Sequence, residues 1–176
     1  HLIVSGIEHH SVLNAARYLE KFHEFEVTFL PVDNSGLVNP ERLKKALTPA
    51  TVLVSIQHGS NEIGTIQPIP QLAAICRNAN VPLHTDAVQV VGKLPVSFRR
   101  LGVAAMSITA HKFQGPLGIG ALILRDGVPL APLMFGGHQQ AGLRPGTEPV
   151  ADEPQRVAHL QQVGVVADEA TRRAQV

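Results

Sequence analysis

The stretch Ile69–Gln89, IPQLAAICRNANVPLHTDAVQ, sets a helical pattern directly before a buried-strand pattern that ends in polar residues. In its first half the apolar residues recur at the spacing of one helix face, which predicts a helix over Ile69 to Asn78. Its second half, Val81 to Thr85, is a short apolar run typical of a strand buried on both faces, and Asp86 follows it. A helix that leads into such a strand is typical of an α/β protein with a parallel sheet.

The same alternation of helix and strand patterns extends over most of the chain. Apolar residues at helical spacing predict helices over about Ser11 to Phe25 and Pro40 to Leu47, and Asn39 before Pro40 is a typical helix start. Further buried-strand patterns occur at Leu2–Val4, Val27–Val32, Thr51–Ile56, Val103–Thr109 and Ile119–Leu124. The sequence therefore predicts an α/β fold in which a mainly parallel sheet is flanked by helices.

The composition excludes several classes of protein. With 176 residues, of which 44% are apolar and 16% charged, the chain has the size and hydrophobicity of one soluble globular domain, and its apolar runs are too short to cross a membrane. Fifteen basic residues against fourteen acidic ones give a net charge of +1, so we expect no nucleic-acid partner. The single cysteine excludes an intrachain disulfide and a cysteine-based zinc site, which favours a cytoplasmic location.

The two ends of the sequence have features of their own. The sequence opens on His1 with neither an initiator Met nor a signal-peptide pattern, so we expect a fragment of a longer protein. From Gly136 to Pro154 the many Gly, Pro and Gln residues predict an extended loop. The segment from Gln155 to Gln175 predicts one final helix.

Polar residues follow three of the predicted strands, in Gln57–Gly64, His84–Gln89 and Thr109–Pro116. In an open α/β sheet, ligands bind beyond the carboxyl ends of the strands. A lone Asp86 is more often a helix cap, and a lone Lys112 is usually a solvated charge. Together, however, a carboxylate at one strand end and an amine in a turn with a hydroxyl, an imidazole and glycine provide what pyridoxal phosphate chemistry needs.

Five ordered motifs resemble one family. They are Glu8-His9, Ser60-Asn61-Glu62-Ile63-Gly64, His84-Thr85-Asp86-Ala87-Val88-Gln89, His111-Lys112-Phe113-Gln114-Gly115-Pro116-Leu117-Gly118-Ile119-Gly120-Ala121-Leu122 and Arg144-Pro145-Gly146-Thr147-Glu148. In order and spacing they resemble the cysteine desulfurases, which are pyridoxal phosphate enzymes of the class V aminotransferase group, fold type I. The resemblance implies that residues 1–150 are the large cofactor-binding domain, incomplete at its N-terminus, and that 151–176 are a divergent tail.

The resemblance gives the two central residues their roles. Lys112 would be the lysine that forms the Schiff base with pyridoxal phosphate and later moves the proton of the substrate Cα. Asp86 would pair with the pyridinium nitrogen, since a nearby carboxylate stabilises the protonated ring. His9 would stack on the ring and act as an acid or base, tasks for which an imidazole is suited near neutral pH.

Other cofactor contacts follow from the same resemblance. Gln89 would donate to the phenolic oxygen of the cofactor, and Asn61 would lie beside that oxygen and the substrate carboxylate. Thr109 and His111 would bind the phosphate. Without the resemblance, Gln89 could be a solvated residue and Asn61 a turn former.

Two features concern the neighbourhood of these phosphate ligands. Ala110 stands where the family usually has Gly, and its methyl group is tolerable unless the position needs a positive φ. Thr147 would reach the phosphate of a neighbouring subunit, which implies a homodimer. On a monomer, the same Gly/Pro turn would be a surface feature.

Several features of the family have no counterpart in this sequence. They are the N-terminal Gly/Ala-Thr phosphate turn, the arginine for the substrate carboxylate and the mobile-loop cysteine that accepts sulfur. Cys76 lies at an apolar helix position, where an ordinary buried thiol is the expectation. After Val150 the family continues into a long helix, whereas Pro154 interrupts the start of such a helix here. His58, His84 and His138 show no metal-ligand spacing, and we expect no metal.

The resemblance implies an enzyme that takes L-cysteine and transfers its sulfur to a protein thiol, leaving alanine, and we expect the fragment to be inactive alone. Such persulfide sulfur serves iron–sulfur cluster assembly, so a sulfur-acceptor protein is an expected partner. A selenocysteine lyase or another class V enzyme is the alternative within the group. A non-catalytic remnant or an interaction domain that keeps the fold is the alternative from another class.

Overall fold

A computed structural model describes residues 1–147 and the backbone of 164–167. The chain divides into two compact units, His1–Met106 and Ser107–Val176, which are described one after the other. The strands are β1 (Leu2–Ser5), β2 (Val27–Leu30), β3 (Leu53–Ser55), β4 (Leu83–Asp86), β5 (Ala105–Thr109), β6 (Gly120–Leu124) and β7 (Gly164–Ala167). The helices are α1 (His10–His23), α2 (Pro40–Ala46), α3 (Ile69–Asn78) and α4 (Phe98–Leu101).

The strands of the first unit form a parallel sheet in the order β2-β1-β3-β4. β1 has a parallel partner on each edge, so that Ile3 is in register with Thr28 of β2 and with Val54 of β3. Ile3 and Val54 are completely buried, as expected for strands covered on both faces. Helices connect the successive parallel strands, which confirms the predicted α/β fold.

The helix ends follow local sequence signals. The Oδ1 atom of Asn39 accepts hydrogen bonds from the backbone N–H groups of Glu41 and Arg42, at 2.9 and 3.4 Å, and Pro40 occupies the first turn. α3 has the predicted bounds. α1 ends at His23, two residues before the predicted end, because Glu24 adopts a left-handed conformation with φ 56°.

The core of the first unit lies between the sheet and its helices. It is built from completely buried side chains that belong to both layers, namely Ile3, Leu43, Val54, Ile56, Ile69 and Leu72. Below α1, a cavity of about 250 Å³ is lined by residues of α1, β1 and β3 and by His84. Within the described part of the chain, no helix is long and apolar enough to cross a membrane.

In the second unit, β5 leads into a single 3-10 turn, Ala110–Phe113, that carries Lys112. Ala110 is buried and has no positive φ, so the backbone accepts its methyl group in place of glycine. The chain leaves the turn through Gln114, which has a φ of 67°. A Cβ atom on the next residue, Gly115, would lie 2.7 Å from the Cβ of Ala110, so these two residues are packed directly against each other.

The sheet neighbours of β6 in this unit are β5 and β7. β7 pairs with β6 in parallel, and its residues Gly164–Ala167 fall within the stretch for which a final helix was predicted. That prediction is wrong for these four residues, since two adjacent β-branched valines, Val165 and Val166, favour a paired strand. The rest of the predicted helix, and Pro154, lie outside the described residues.

Replacing the cap of α2 should destabilise the chain. In Asn39→Ala, the N–H groups of Glu41 and Arg42 lose their acceptor, and we expect the free energy of unfolding to fall by about 1 kcal/mol in urea titrations. Asn39→Asp keeps an acceptor at the same place and should remain close to the original stability. Equal losses in both variants would contradict the capping role.

The tight packing at the Lys112 turn predicts a second stability effect. In Gly115→Ala, the added methyl group meets the Cβ of Ala110 at 2.7 Å and its carbonyl oxygen at 3.1 Å. We expect the free energy of unfolding to fall by roughly 1–3 kcal/mol, as for other overpacked sites. Ala110→Gly in the same chain removes the closer contact and should restore part of the loss. A double variant no more stable than Gly115→Ala would rule out this contact as the cause.

Candidate active site

The strand order of the first unit contains a reversal. From β1 the chain passes to β2 on one side and then returns to β3 on the other side of β1. Ligands of open α/β sheets bind at such a reversal, beyond the carboxyl ends of the strands. Here the carboxyl end of β1 leads to Glu8 and His9, that of β3 leads to Gln57 and His58, and β4 ends at Asp86.

His9 is exposed at the start of α1 and is held by the helix itself. Its Nδ1 atom accepts a hydrogen bond from the backbone N–H of Ser11 at 3.2 Å and lies 2.8 Å from the hydroxyl oxygen of the same residue. The imidazole is therefore the N-cap of α1. Acceptance at Nδ1 leaves the ring proton on Nε2, the nitrogen that has no part in the cap.

Asp86 is half-buried at the end of β4, with two main-chain hydrogen bonds around it. Its Oδ1 atom accepts from the backbone N–H of Val88 at 2.9 Å, and its carbonyl oxygen accepts from the backbone N–H of His58 at 2.8 Å. The carboxylate thus caps the turn that follows the strand, as the simpler interpretation of the sequence expected. This capping fixes the orientation of the carboxyl group, which a charge partner of a bound ring also requires.

Glu8 and Gln57, to which the sequence analysis assigned no role, connect these strand ends. Glu8 is 5% exposed, and its Oε1 atom accepts a short hydrogen bond from the backbone N–H of Gln57. In return, the Nε2 atom of Gln57 donates to the carbonyl oxygen of Ile7 at 2.7 Å. With the bond from His58 to Asp86, this arrangement ties the carboxyl ends of β1, β3 and β4 together.

The environment of Glu8 favours its neutral form. Its pKa is raised to about 8, mainly by burial; the hydrogen bond from the Gln57 backbone opposes this shift, and the charge of Asp86 adds to it. Among the described residues, the Oε2 atom of Glu8 has no hydrogen-bond partner although it is buried. A signal for this role is hard to find in the sequence, because burial of Glu8 arises only when β1 and β3 pair.

Two histidines near Asp86, the buried His58 and the half-buried His84, favour their neutral forms. Burial lowers the pKa of His58, and burial also lowers the pKa of His84, although the charge of Asp86 opposes the shift at His84. The Nδ1 atom of His84 lies 2.9 Å from the hydroxyl oxygen of Ser55 in β3. His84 is therefore a strand residue tied into the sheet. Over the described residues, no group of three or more His, Cys, Asp or Glu side chains could hold a metal ion.

Gln89 and Asn61 lie in turns after β4 and β3. The Oε1 atom of Gln89 accepts a hydrogen bond from the Nζ atom of Lys93 at 2.9 Å. Asn61 is exposed in a turn in which the Oγ atom of Ser60 accepts from two following backbone N–H groups, at 3.3 and 3.4 Å. Their expected contacts to a cofactor stay predictions.

The second unit places three of the expected side chains in one short segment. The Oγ1 atom of Thr109 lies 3.0 Å from the Nδ1 atom of His111 and donates to the carbonyl oxygen of Ile119 at 3.0 Å. His111 and Lys112 are exposed on the 3-10 turn. The hydroxyl, imidazole and amine groups thus lie on one turn, as the sequence predicts.

Thr147 lies in a turn of the second unit, and Cys76 lies in α3 of the first. Thr147 is exposed and follows Gly146, which has a φ of 125°. Next to that turn, the guanidinium of Arg144 donates to the carbonyl oxygen of Pro145 at 2.7 Å. Cys76 is buried in α3, which confirms the expected environment, and burial raises the pKa of its thiol to about 11.

Comparison with known proteins gives this arrangement a family context. A family model described as aminotransferase class-V matches residues 1–164. Cysteine desulfurase IscS of Dictyoglomus turgidum is 52% identical over 151 residues, which are 86% of this chain and 38% of that protein. The mitochondrial cysteine desulfurase of Arabidopsis thaliana is 49% identical over 149 residues, which are 84% of this chain and 33% of that protein.

Solved structures agree with the fold. The structure of SspA in complex with cysteine superposes with a TM-score of 0.81 at 42% identity and covers 85% of this chain and 43% of that chain. A NifS-like protein superposes with a TM-score of 0.80 at 44% identity, over 83% of this chain and 40% of that chain. The chain spans about two fifths of the length of these relatives. Since the family match takes in residues 1–164 and with them every expected site residue, the chain belongs to the class V aminotransferase family.

Proposed function

We propose that this chain is the cofactor-binding part of a pyridoxal phosphate-dependent cysteine desulfurase. In the reaction, the C–S bond of L-cysteine breaks, sulfur passes to a protein thiol as a persulfide, and the carbon skeleton takes up a proton to become alanine. The observation that carries the proposal is the 52% identity to a cysteine desulfurase over 86% of the chain. The solved relative described as bound to cysteine supports the same substrate.

The donor set of the chain fits pyridoxal phosphate. Lys112 offers an amine for the aldehyde, and Asp86 offers a carboxylate for the pyridine nitrogen. The hydroxyl of Thr109 and the imidazole of His111, 3.0 Å apart, are suited to a phosphate group. When bound, the cofactor supplies an electron sink that stabilises negative charge on the substrate Cα.

The residues of the chain then carry out the proton movements. The Nζ atom of Lys112 holds the cofactor and afterwards takes the Cα proton and returns it. Asp86 keeps the ring nitrogen protonated, since an opposite charge nearby favours the charged form. The Nε2 atom of His9, turned away from the cap of α1, donates or accepts a proton as the thiol is processed.

The remaining expectations about the whole protein belong to the same proposal. Gln89 would donate to the phenolic oxygen of the cofactor, and Asn61 would lie beside that oxygen. The large domain comprises residues 1–150, followed by the tail 151–176. Thr147 would reach the phosphate of a second subunit in a homodimer, and a sulfur-acceptor protein would take the persulfide. We propose a cytoplasmic location, although two relatives are named as mitochondrial.

The cofactor site predicts a spectroscopic property of the purified chain. After addition of pyridoxal phosphate, we expect a visible absorption band that Lys112→Ala abolishes, because the band needs the amine that binds the aldehyde. Lys45→Ala, which removes another exposed lysine from α2, should keep the band. A band that survives in Lys112→Ala would refute the assignment of the lysine.

The same experiment separates the alternatives. A Lys112-dependent band together with alanine release from L-cysteine supports the desulfurase. Alanine formation, here and below, is measured on the complete protein that contains this chain. A Lys112-dependent band without alanine release from that protein supports a non-catalytic remnant that keeps the cofactor. Release of alanine from selenocysteine alone would favour a selenocysteine lyase.

Replacing the carboxylate should weaken the reaction without unfolding the site. Asp86→Asn keeps an oxygen that can accept from the N–H of Val88 but loses the charge. The pKa of the ring nitrogen should fall by roughly one to three units, with a loss of roughly tenfold to a thousandfold in alanine formation. The readout is the rate of alanine formation at equal cofactor occupancy, and an unchanged rate would exclude Asp86 as the ring partner.

A further inference from the structure

Glu8 and Gln57 form a reciprocal pair of hydrogen bonds across the reversal in strand order. Glu8 accepts from the backbone N–H of Gln57, and the side chain of Gln57 donates to the carbonyl oxygen of Ile7. Both side chains are 5% exposed. We call this pair the Glu8–Gln57 bridge. It lies between β1 and β3, where the sheet topology alone would leave the two chain segments free to diverge.

The bridge continues to Asp86 through the main chain. The residue after Gln57 is His58, whose backbone N–H donates to the carbonyl oxygen of Asp86 at 2.8 Å. On the other side, the residue after Glu8 is His9, the cap of α1. A single buried carboxyl group thus stands between the segment that carries His9 and the segment that anchors Asp86.

The chemistry of this carboxyl group is unusual for a glutamate. One oxygen is used by the bridge, and the other is buried without a hydrogen-bond partner among the described residues. An ionised carboxylate needs partners on both oxygens, and burial of an unpaired charge costs far more than burial of a neutral group. The raised pKa of Glu8, about 8, agrees with this argument.

We propose that Glu8 is a positioning residue that joins the ends of β1 and β3 as a protonated carboxyl group and so keeps His9 in a fixed place relative to Asp86. The proposal deepens the proposed function, because it gives a role toward the cofactor site to a residue that does not itself touch the cofactor. A neutral Glu8 also leaves Asp86 as the negative charge that serves the ring nitrogen.

A cofactor-independent experiment tests the positioning. Amide hydrogen exchange is measured by nuclear magnetic resonance at Gln57 and His58 in Glu8→Ala, Glu8→Gln and the control Glu20→Gln, which changes an exposed glutamate of α1. In Glu8→Ala we expect the protection of both amides to fall about tenfold or more, since the bridge loses its acceptor. Glu8→Gln retains a neutral acceptor and should keep protection within about threefold of the control.

Two results of the hydrogen-exchange measurement would overturn the proposal. If protection of His58 is unchanged in Glu8→Ala, the bridge does not extend to Asp86 and the proposal is overturned. If Glu8→Gln loses protection as strongly as Glu8→Ala, the neutral form is not what holds the bridge, and the proposal is again overturned. If Glu8→Ala does not fold, the comparison of Glu8→Gln with the control and the pH profile below still decide.

The pH dependence of unfolding gives a second measure. Between pH 4.5 and about 8, native Glu8 keeps a proton that the unfolded chain releases, so its contribution to stability falls as the pH rises through this window. Glu8→Gln lacks this slope. Relative to Glu8→Gln, the folding equilibrium of the unsubstituted chain should fall by up to about tenfold per pH unit there. If the unsubstituted chain and Glu8→Gln show the same pH dependence of unfolding, Glu8 is not protonated in the native state and the proposal is overturned.

The other titratable groups near these strand ends are His9, His58, His84 and Asp86. All of them are present in both chains, so the difference between the two profiles isolates Glu8. Because the pKa values of His58 and His84 are lowered, their own effect lies at the acid end and has the opposite sign. The lysine-dependent band and alanine formation are then compared in the same variants. If that band is absent in every chain, the proposed function is wrong. The exchange and pH results still test the role of Glu8 in that case.

Discussion

β1 pairs with a parallel strand on each of its edges, and every polar strand end of the first unit depends on this pairing. Ile3 stands opposite both Thr28 and Val54 and is completely buried. Because a buried backbone group without a partner is costly, the register on both edges is strongly fixed. A slip by one residue would turn the side chains of β1 to the opposite faces and would carry Glu8 away from Gln57.

Most of the fold follows from local patterns that the sequence displays. α3 has the predicted bounds, and Asn39 caps α2 where a cap residue precedes a proline. These signals lie within a few residues of the helix ends that they specify, so the sequence alone is enough to predict those ends. The end of α1 is different, because Glu24 enters the left-handed region without the glycine that usually announces it. β7 is different again, since its strand depends on pairing with β6, far away in the sequence.

In the candidate site, too, some features follow from local sequence patterns and others depend on the pairing of distant strands. The sequence predicts that Asp86 and Lys112 follow the ends of strands, and the structure has them at the end of β4 and in the turn after β5. The roles of Asp86, Lys112 and His9 toward a cofactor come from the family resemblance and stay predictions. Glu8 and Gln57 could not be predicted, because their burial and mutual hydrogen bonds exist only after two distant strands have paired. Capping by Asp86 is compatible with its proposed role as partner of the ring nitrogen, because one carboxyl oxygen can cap the turn while the other contacts the ring.

Ala110 and Gly115 share room for one methyl group at the base of the Lys112 turn. The two positions are therefore a case of epistasis, in which neither residue has a fixed preference of its own. With alanine at position 110, a side chain at position 115 lowers stability, and glycine at position 110 reduces this loss. The order in which substitutions accumulate at these two positions is therefore constrained. The constraint affects how often pairs of residues occur together at the two positions, and residue frequencies at each position alone do not show it.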